Sequence, residues 1–198
     1  SMYKKSYFIL LLTMFLLCGC TTNKNYLIQD INFDDYEAFI IDADRLIVEQ
    51  KYNTNISNPY IDHLVKQDLL SLVNYWAIAR LNTKTLNNSG NLKVIINEAS
   101  IKALPVSDNN NIEELFISNA AINIEMNLDI TIDLLNEKSD RISYVNIKVF
   151  KSQEMGGNIS LLEKDYKIQE MSRSLMTDFD SLAINKIKEV FNKKVLSN

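Results

Sequence analysis

The chain has 198 residues, 46% of them hydrophobic and 23% charged, with a net charge of −4, the profile of one globular domain with an ample core. Its four glycines (Gly19, Gly90, Gly156, Gly157), two prolines, two cysteines and one histidine are too few or wrongly spaced for many chemistries. They exclude a phosphate loop, a dinucleotide loop, a nucleophile elbow, a two-histidine zinc helix and a thiolate zinc site.

Lys4 and Lys5 precede the apolar run Tyr7 to Leu17, which ends in Cys18-Gly19-Cys20. A basic start, a run too short for the ~20 residues of a membrane span, and a small-residue end predict a signal peptide over 1–19. Leu17-Cys18-Gly19-Cys20 resembles the bacterial lipobox, in which the last cysteine receives lipid and becomes the new N-terminus. The resemblance implies several acyl chains on Cys20, which anchor stably where one chain is marginal. By the same analogy, Thr21 after that cysteine implies the inner leaflet of the outer membrane, with the body facing the periplasm. Removal of Lys4 and Lys5 takes the net charge from −4 to −6 and, with Cys18 gone, leaves no intramolecular disulfide.

Residues 20–35 are polar with scattered Leu27, Ile28, Ile31 and Phe33, and read as a lipidated tether that docks partly onto the body at 36–198. Fully extended, it reaches some ~50 Å. Ala38 to Ile41 and Leu46 to Val48, interrupted by Asp42-Ala43-Asp44-Arg45, predict one bulged strand or two short ones. Asn58-Pro59 has the form of a helix start. Ile61, Leu64, Val65, Leu69, Leu72, Val73, Trp76 and Ala79 then define a buried stripe, with the helix ending near Asn82. Asn87 to Gly90 is a turn, Leu92 to Leu104 a strand stopped by Pro105, and Asp108 to Asn111 a loop.

Ile122, Ile124, Met126, Leu128, Ile130, Ile132 and Leu134 alternate strictly with Asn123, Glu125, Asn127, Asp129, Thr131 and Asp133, which predicts a long antiparallel strand with one wet face. After a turn at 136–140, Ile142 to Phe150 returns as its hairpin partner. Gly156-Gly157 breaks the chain, and Ser160-Leu161-Leu162-Glu163 is a capping box opening a helix to about Lys194. Its inward residues are Ile168, Met171, Leu175, Phe179, Leu182, Ile187, Val190 and Phe191. The order β-α-β-β-β-α implies an α+β two-layer sandwich, an antiparallel sheet with helices on one face.

No residue pattern selects a catalytic centre, and none calls for a cofactor or a metal. His63 lacks a nucleophile or metal partner in any known spacing and reads as structural. Asp42-Ala43-Asp44, and Asp108 to Asn111 with Glu113 and Glu114, offer oxygen ligands but lack the glycine and terminal glutamate of a calcium loop. Trp76 lies on the apolar stripe and reads as core; Tyr75 sits beside it. The wet strand face, Asn123, Glu125, Asn127, Asp129, Thr131 and Asp133, repels phosphates and so excludes nucleic acid. It is the candidate partner-binding surface, for a basic protein partner.

Trp76-Ala77-Ile78-Ala79-Arg80-Leu81, the strand Leu92 to Ile101, and Leu104-Pro105 resemble a group of alphaproteobacterial lipoproteins over roughly 60–195, with an Asn-rich departure at 107–114. In layout the chain is more distantly similar to auxiliary lipoproteins of envelope transport systems. The anchor, a compact body and the lack of a catalytic constellation predict a non-enzymatic, lipid-anchored accessory that binds an envelope protein in assembly or transport. The alternatives are a carrier of lipid or another apolar ligand, and a cell-wall hydrolase built on a carboxylate pair.

Overall fold

The computed structural model describes residues 26–86, 90–106 and 121–196, so the Asn-rich loop and Cys20 lie outside the described residues. The two apolar runs before residue 52 are separate strands, β1 (Phe39–Ile41) and β2 (Arg45–Gln50), in different sheets. What separates them is Asp42, which is buried and accepts hydrogen bonds from the Leu86 amide at 2.9 Å and from Lys194 Nζ at 2.9 Å. The backbone turns around that carboxylate, and β2 leaves for the larger sheet.

Helix α1 (Leu69–Arg80) starts ten residues after the Asn58-Pro59 signal, capped by Asp68, whose side chain accepts from the Ser71 amide at 2.8 Å. The predicted start at Pro59 is therefore corrected. The Asn58–Pro59 bond is cis, and residues 59–61 run antiparallel to the strand β4 (Asn91–Pro105). The Ala103 amide donates to Pro59 O and the Ile61 amide to Ile101 O, each at 2.9 Å. One 3₁₀ turn, Asp62–Leu64, follows. Local capping chemistry favours a helix here, but β4 outlasts β2 and its unpaired backbone groups need partners. Leu64, expected inside, is left exposed as a result, whereas Leu69, Leu72, Val73 and Trp76 are fully buried.

β2 and β4 are parallel, joined through α1, because a crossover that carries a helix returns the chain in the same direction. From β4 the chain runs as an antiparallel meander into β5 (Ile122–Leu135) and β6 (Arg141–Met155), giving the order β2-β4-β5-β6. The larger sheet is thus mixed at one edge, within the expected α+β two-layer class. β4 carries a bulge at Asn97, where the register slips between Ile96 and Glu98. Leu92, Val94 and Ile96 point inward before it, and Ala99, Ile101 and Ala103 after it.

Ser160 caps the helix, its Oγ accepting from the Glu163 amide at 3.1 Å, and opens helix α2 (Leu161–Val190). It ends short of Lys194 because the tail is recruited into a second sheet. β7 (Val195–Leu196) pairs antiparallel with β1, and β3 (Leu81–Thr83) pairs parallel with β1 on the other side. Leu182 and Val190 face solvent, while Met176, Ala183 and Ile184 turn inward. A seven-residue spacing from Ile168 through Leu175 to Leu182 drifts by about 20° per heptad on a straight helix, enough to rotate Leu182 off the core stripe. Between helices and sheet, Trp76 meets Phe179 edge-on at 4.6 Å between ring centroids, in the core that also holds Ile124, Met126 and Ile130 of β5. Among the described residues, no helix is long and apolar enough to cross a membrane.

Candidate functional site

All six candidate residues lie on the face of β5 turned away from the helices, a consequence of the strict alternation seen in the sequence. Their charge is not left open. Asp129 receives Lys148 of β6 at 2.9 Å, Asp133 receives Arg141 at 2.8 Å, and Glu125 stands opposite Lys102 of β4 in register. At the β2 edge, Glu49 pairs with Lys93, and that hydrogen bond holds its carboxyl below the usual range. The acidic surface expected from one strand is therefore a mixed-charge lattice once β2, β4 and β6 flank it.

The centre of the lattice is a polar cluster. Asn146 Nδ2 donates to Asp129 Oδ1 at 2.7 Å and to Thr131 Oγ1 at 3.1 Å, and Asn97 Nδ2 donates to the same two oxygens at 3.2 and 2.9 Å. The β4 bulge is what aims Asn97 there. Partial burial works against ionised Asp129, but the bonds from Lys148, Asn146 and Asn97 win and hold its carboxyl below the ordinary range. Asn123 accepts from Ser152 Oγ at 2.9 Å. At the β6 margin, Tyr144 and Phe150 stand exposed, with the Arg141 guanidinium 4.9 Å over the Tyr144 ring. No feature of β5 alone announces these aromatic residues; they belong to the same face because Tyr144 and Phe150 lie opposite Asp133 and Asn127.

Of the other sequence candidates, Asp108 to Asn111 with Glu113 and Glu114 lie outside the described residues. Asp42 is held by Lys194, and Asp44 accepts from Thr85 Oγ1 at 3.0 Å. His63 sits exposed in the 3₁₀ turn, and Trp76 is core, as its place on the stripe implies. Among the described residues, no three His, Cys, Asp or Glu side chains converge as a metal cluster would require. Asp62, by contrast, is a buried carboxylate that the sequence did not single out. It accepts from Tyr52 Oη at 2.8 Å and from the Ile101 amide at 2.7 Å, standing in for a backbone carbonyl beside β4.

Burial raises the Asp62 carboxyl above its ordinary range, against the pull of those two hydrogen bonds, and the Tyr52 hydroxyl is raised by its own burial and by Asp62. A carboxyl that binds its proton more readily folded than unfolded gives a burial penalty present at neutral pH and relieved as pH falls through its folded pKa. Asp62→Asn keeps an acceptor but cannot titrate. The urea midpoint of the wild type should therefore gain on that of Asp62→Asn as pH falls from neutrality toward about 4, the ordinary carboxylate range. A constant difference across that interval refutes the assignment.

The segment before β1 is fastened rather than loose. The Gln67 side-chain amide mimics a strand neighbour for Ile31: its Oε1 accepts from the Ile31 amide at 2.7 Å and its Nε2 donates to Ile31 O at 3.2 Å. Gln169 Nε2 of α2 donates to Gln67 Oε1 at 2.6 Å and to Gln29 O at 3.2 Å, and Arg173 Nη2 reaches Gln29 O at 2.9 Å. Ile31 and Phe33 are buried beneath this clamp. The partial docking expected for the tether thus begins by Ile28, whose carbonyl accepts from Lys66 Nζ at 3.4 Å. Gln67→Ala leaves both backbone groups of Ile31 short of partners, at a cost of about 1–3 kcal/mol each where water cannot replace the bond. Amide exchange at Ile31 should accelerate while that of β5 does not; unchanged exchange at Ile31 removes the clamp.

No protein-family model matches this chain, and no curated protein matches it in sequence. Among solved structures, a minor lipoprotein from Acinetobacter baumannii is similar at 9% sequence identity and a TM-score of 0.40. The alignment covers 78% of this chain and 96% of that one. At that score the likeness carries no argument about fold or function.

Proposed function

We propose that this is a lipid-anchored lipoprotein of the bacterial envelope, acylated on Cys20, that works without catalysis as a protein-binding accessory in envelope assembly or transport. It faces the periplasm from the inner leaflet of the outer membrane and engages an envelope protein through the outer sheet face around Asn123, Glu125, Asn127, Asp129, Thr131 and Asp133. The observation that carries the reading is the clamp on residues 28–33, which turns a polar leader into a short leash and gives the body a fixed attachment point. The outer face supports it further. Asp129 and Asp133 are already paired within the sheet, so the partner need not be basic, and exposed Tyr144 and Phe150 supply the aromatic contacts that interfaces favour. The space an apolar cargo would need between sheet and helices is filled by Trp76, Leu175, Met176 and Phe179, which favours a surface-acting accessory over a carrier.

Two measurements test the reading. Metabolic labelling with an alkyne fatty acid should mark the wild type and not Cys20→Ala. A photo-crosslinking residue placed at Asn127 or Tyr144 in the acylated protein should capture one and the same envelope protein reproducibly. Absence of label rejects the anchor; label without any reproducible adduct from either position rejects the docking face.

A further inference from the structure

The chain entering from residue 20 meets the body at the N-terminal end of α2, where the Tyr26 ring lies 5.2 Å from the ring of Tyr166. Four leucines gather round that point. Leu27 adjoins Tyr26; Leu161 and Leu162 lie one turn before Asp165 and Tyr166 on the same helix faces; Leu64 of the 3₁₀ turn lines a hollow of about 310 Å³ together with Ile28, Val65 and Asp165. All four leucines are between 51% and 71% exposed. A single exposed leucine needs no explanation, but several gathered round an apolar hollow do.

The surroundings say what covers them. Around them Lys66 pairs with Asp30 at 2.7 Å and Lys167 with Glu163 at 3.5 Å, which neutralises the rim except for Asp165 in the hollow. Burial raises the Asp165 carboxyl above its ordinary range, so the acidic group of the hollow takes up a proton more readily than a free carboxylate. Only five residues lie between Cys20 and Tyr26, a reach of about 20 Å fully extended. The opposite end of the domain, the turn at 136–140 between β5 and β6, stands away by most of the length of α2, about 45 Å for its 30 residues.

We propose that this leucine-rimmed end is a membrane-contact surface: Leu27, Leu64, Leu161 and Leu162 enter the interfacial layer of the phospholipid leaflet that holds the Cys20 acyl chains. The inference rests on the lipid-anchor reading above and adds an orientation to it. α2 stands off the membrane with its N-terminus down, the 136–140 turn points into the periplasm, and the outer sheet face is left open to a partner from the side. A leash alone would let the body tumble; leash and patch together fix which face a partner meets.

With Cys20 acylated and Cys18 removed, an introduced cysteine is the sole free thiol, and exposed positions tolerate the change. The acylated protein carrying Leu64→Cys, Leu161→Cys or, at the far end, Ile142→Cys is spin-labelled. Each variant is reconstituted into vesicles of phosphatidylethanolamine and phosphatidylglycerol, checked for flotation, and probed with membrane-dissolved oxygen and a water-soluble nickel complex. The expected result is a ratio of oxygen to nickel accessibility several-fold higher at 64 and 161 than at 142. Floating protein whose labels at 64 and 161 are as water-accessible as at 142 overturns the membrane-contact surface and leaves the anchor standing. Acylated protein that fails to float overturns both.

Discussion

Asp180→Ala should destabilise the protein by about 3–5 kcal/mol, the cost of removing one member of a buried ion pair and leaving the others unmatched. Asp180 Oδ1 accepts from Trp76 Nε1 at 2.7 Å and from Arg80 Nε at 2.7 Å, and Oδ2 accepts from Arg80 Nη2 at 3.1 Å. Arg80 also donates through Nη1 to Glu37 O and lies 5.3 Å over the Tyr36 ring, so one carboxylate ties α2 to α1 and, through Arg80, to the segment before β1. Truncation strands an indole N–H in the core and a guanidinium in a largely enclosed site. A loss of that size is a large share of the 5–15 kcal/mol that a domain of this kind has to spend. Asp180→Asn should cost less, because the amide oxygen still serves Trp76. Urea unfolding followed by the fluorescence of Trp76, the only tryptophan, measures both. If Asp180→Ala unfolds within about 1 kcal/mol of the wild type, the clasp contributes no more than a surface pair does.

Half of that clasp is legible in the sequence and half is not. Trp76 and Arg80 are four apart on a helix, so their shared face can be read directly; the carboxylate they share is 100 residues beyond Arg80 and looks like any helix-surface aspartate. The same division runs through the fold. β5, β6 and α2 are long and strongly periodic, and the alternation at 122–134 and the Ser160 signal place β5 and α2 within a few residues, while β6 runs five residues past the expected Phe150 to Met155. β3 and β7 have three and two residues, too few to carry a period, and they exist because β1 offers two edges to pair. At Asn58-Pro59 the local signal is sound, yet the backbone of β4 takes residues 59–61 as a partner, and a tertiary demand outweighs a propensity worth about 1 kcal/mol.

The outer sheet face shows why a site can be found and still be misjudged. One strand's alternation identifies Asn123 to Asp133 as a single surface. Its electrostatics depend on Lys102, Arg141 and Lys148, and those reach the face only through the register of β4 and β6. The bulge that aims Asn97 at Asp129 leaves no pattern in the apolar run Val94-Ile95-Ile96. The N-terminal clamp is hidden for a similar reason: Gln67 and Gln169 are ordinary polar residues until the fold sets both beside the backbone of Gln29 and Ile31.

Gly90→Ala should destabilise the protein by about 3 kcal/mol or more. Gly90 has φ +71°, a left-handed conformation that costs a side-chain-bearing residue on the order of 1–3 kcal/mol where the surroundings enforce it. Here a Cβ would also sit 2.3 Å from Asn136 C, 2.4 Å from Leu135 O and 2.5 Å from Asn136 O, backbone atoms that no rotamer can move aside. Those atoms belong to the end of β5, where the Asn136 amide donates to Asp140 O at 2.8 Å and Asn136 Oδ1 accepts from the Asp140 amide at 2.8 Å, closing the turn into β6. Gly90 O also accepts from the Asp44 amide at 2.6 Å, so retreat in the other direction breaks the bend between β1 and β2. Gly156 is the control. A Cβ there meets nothing within 4 Å, and Gly156→Ala should be neutral or stabilising by up to about 1 kcal/mol through the unfolded chain. Urea midpoints of the two variants should therefore move in opposite directions or by very unequal amounts. Equal small shifts mean that β5 and its turn yield to the methyl group, and the close packing of Gly90 against Asn136 is then not a constraint on the fold.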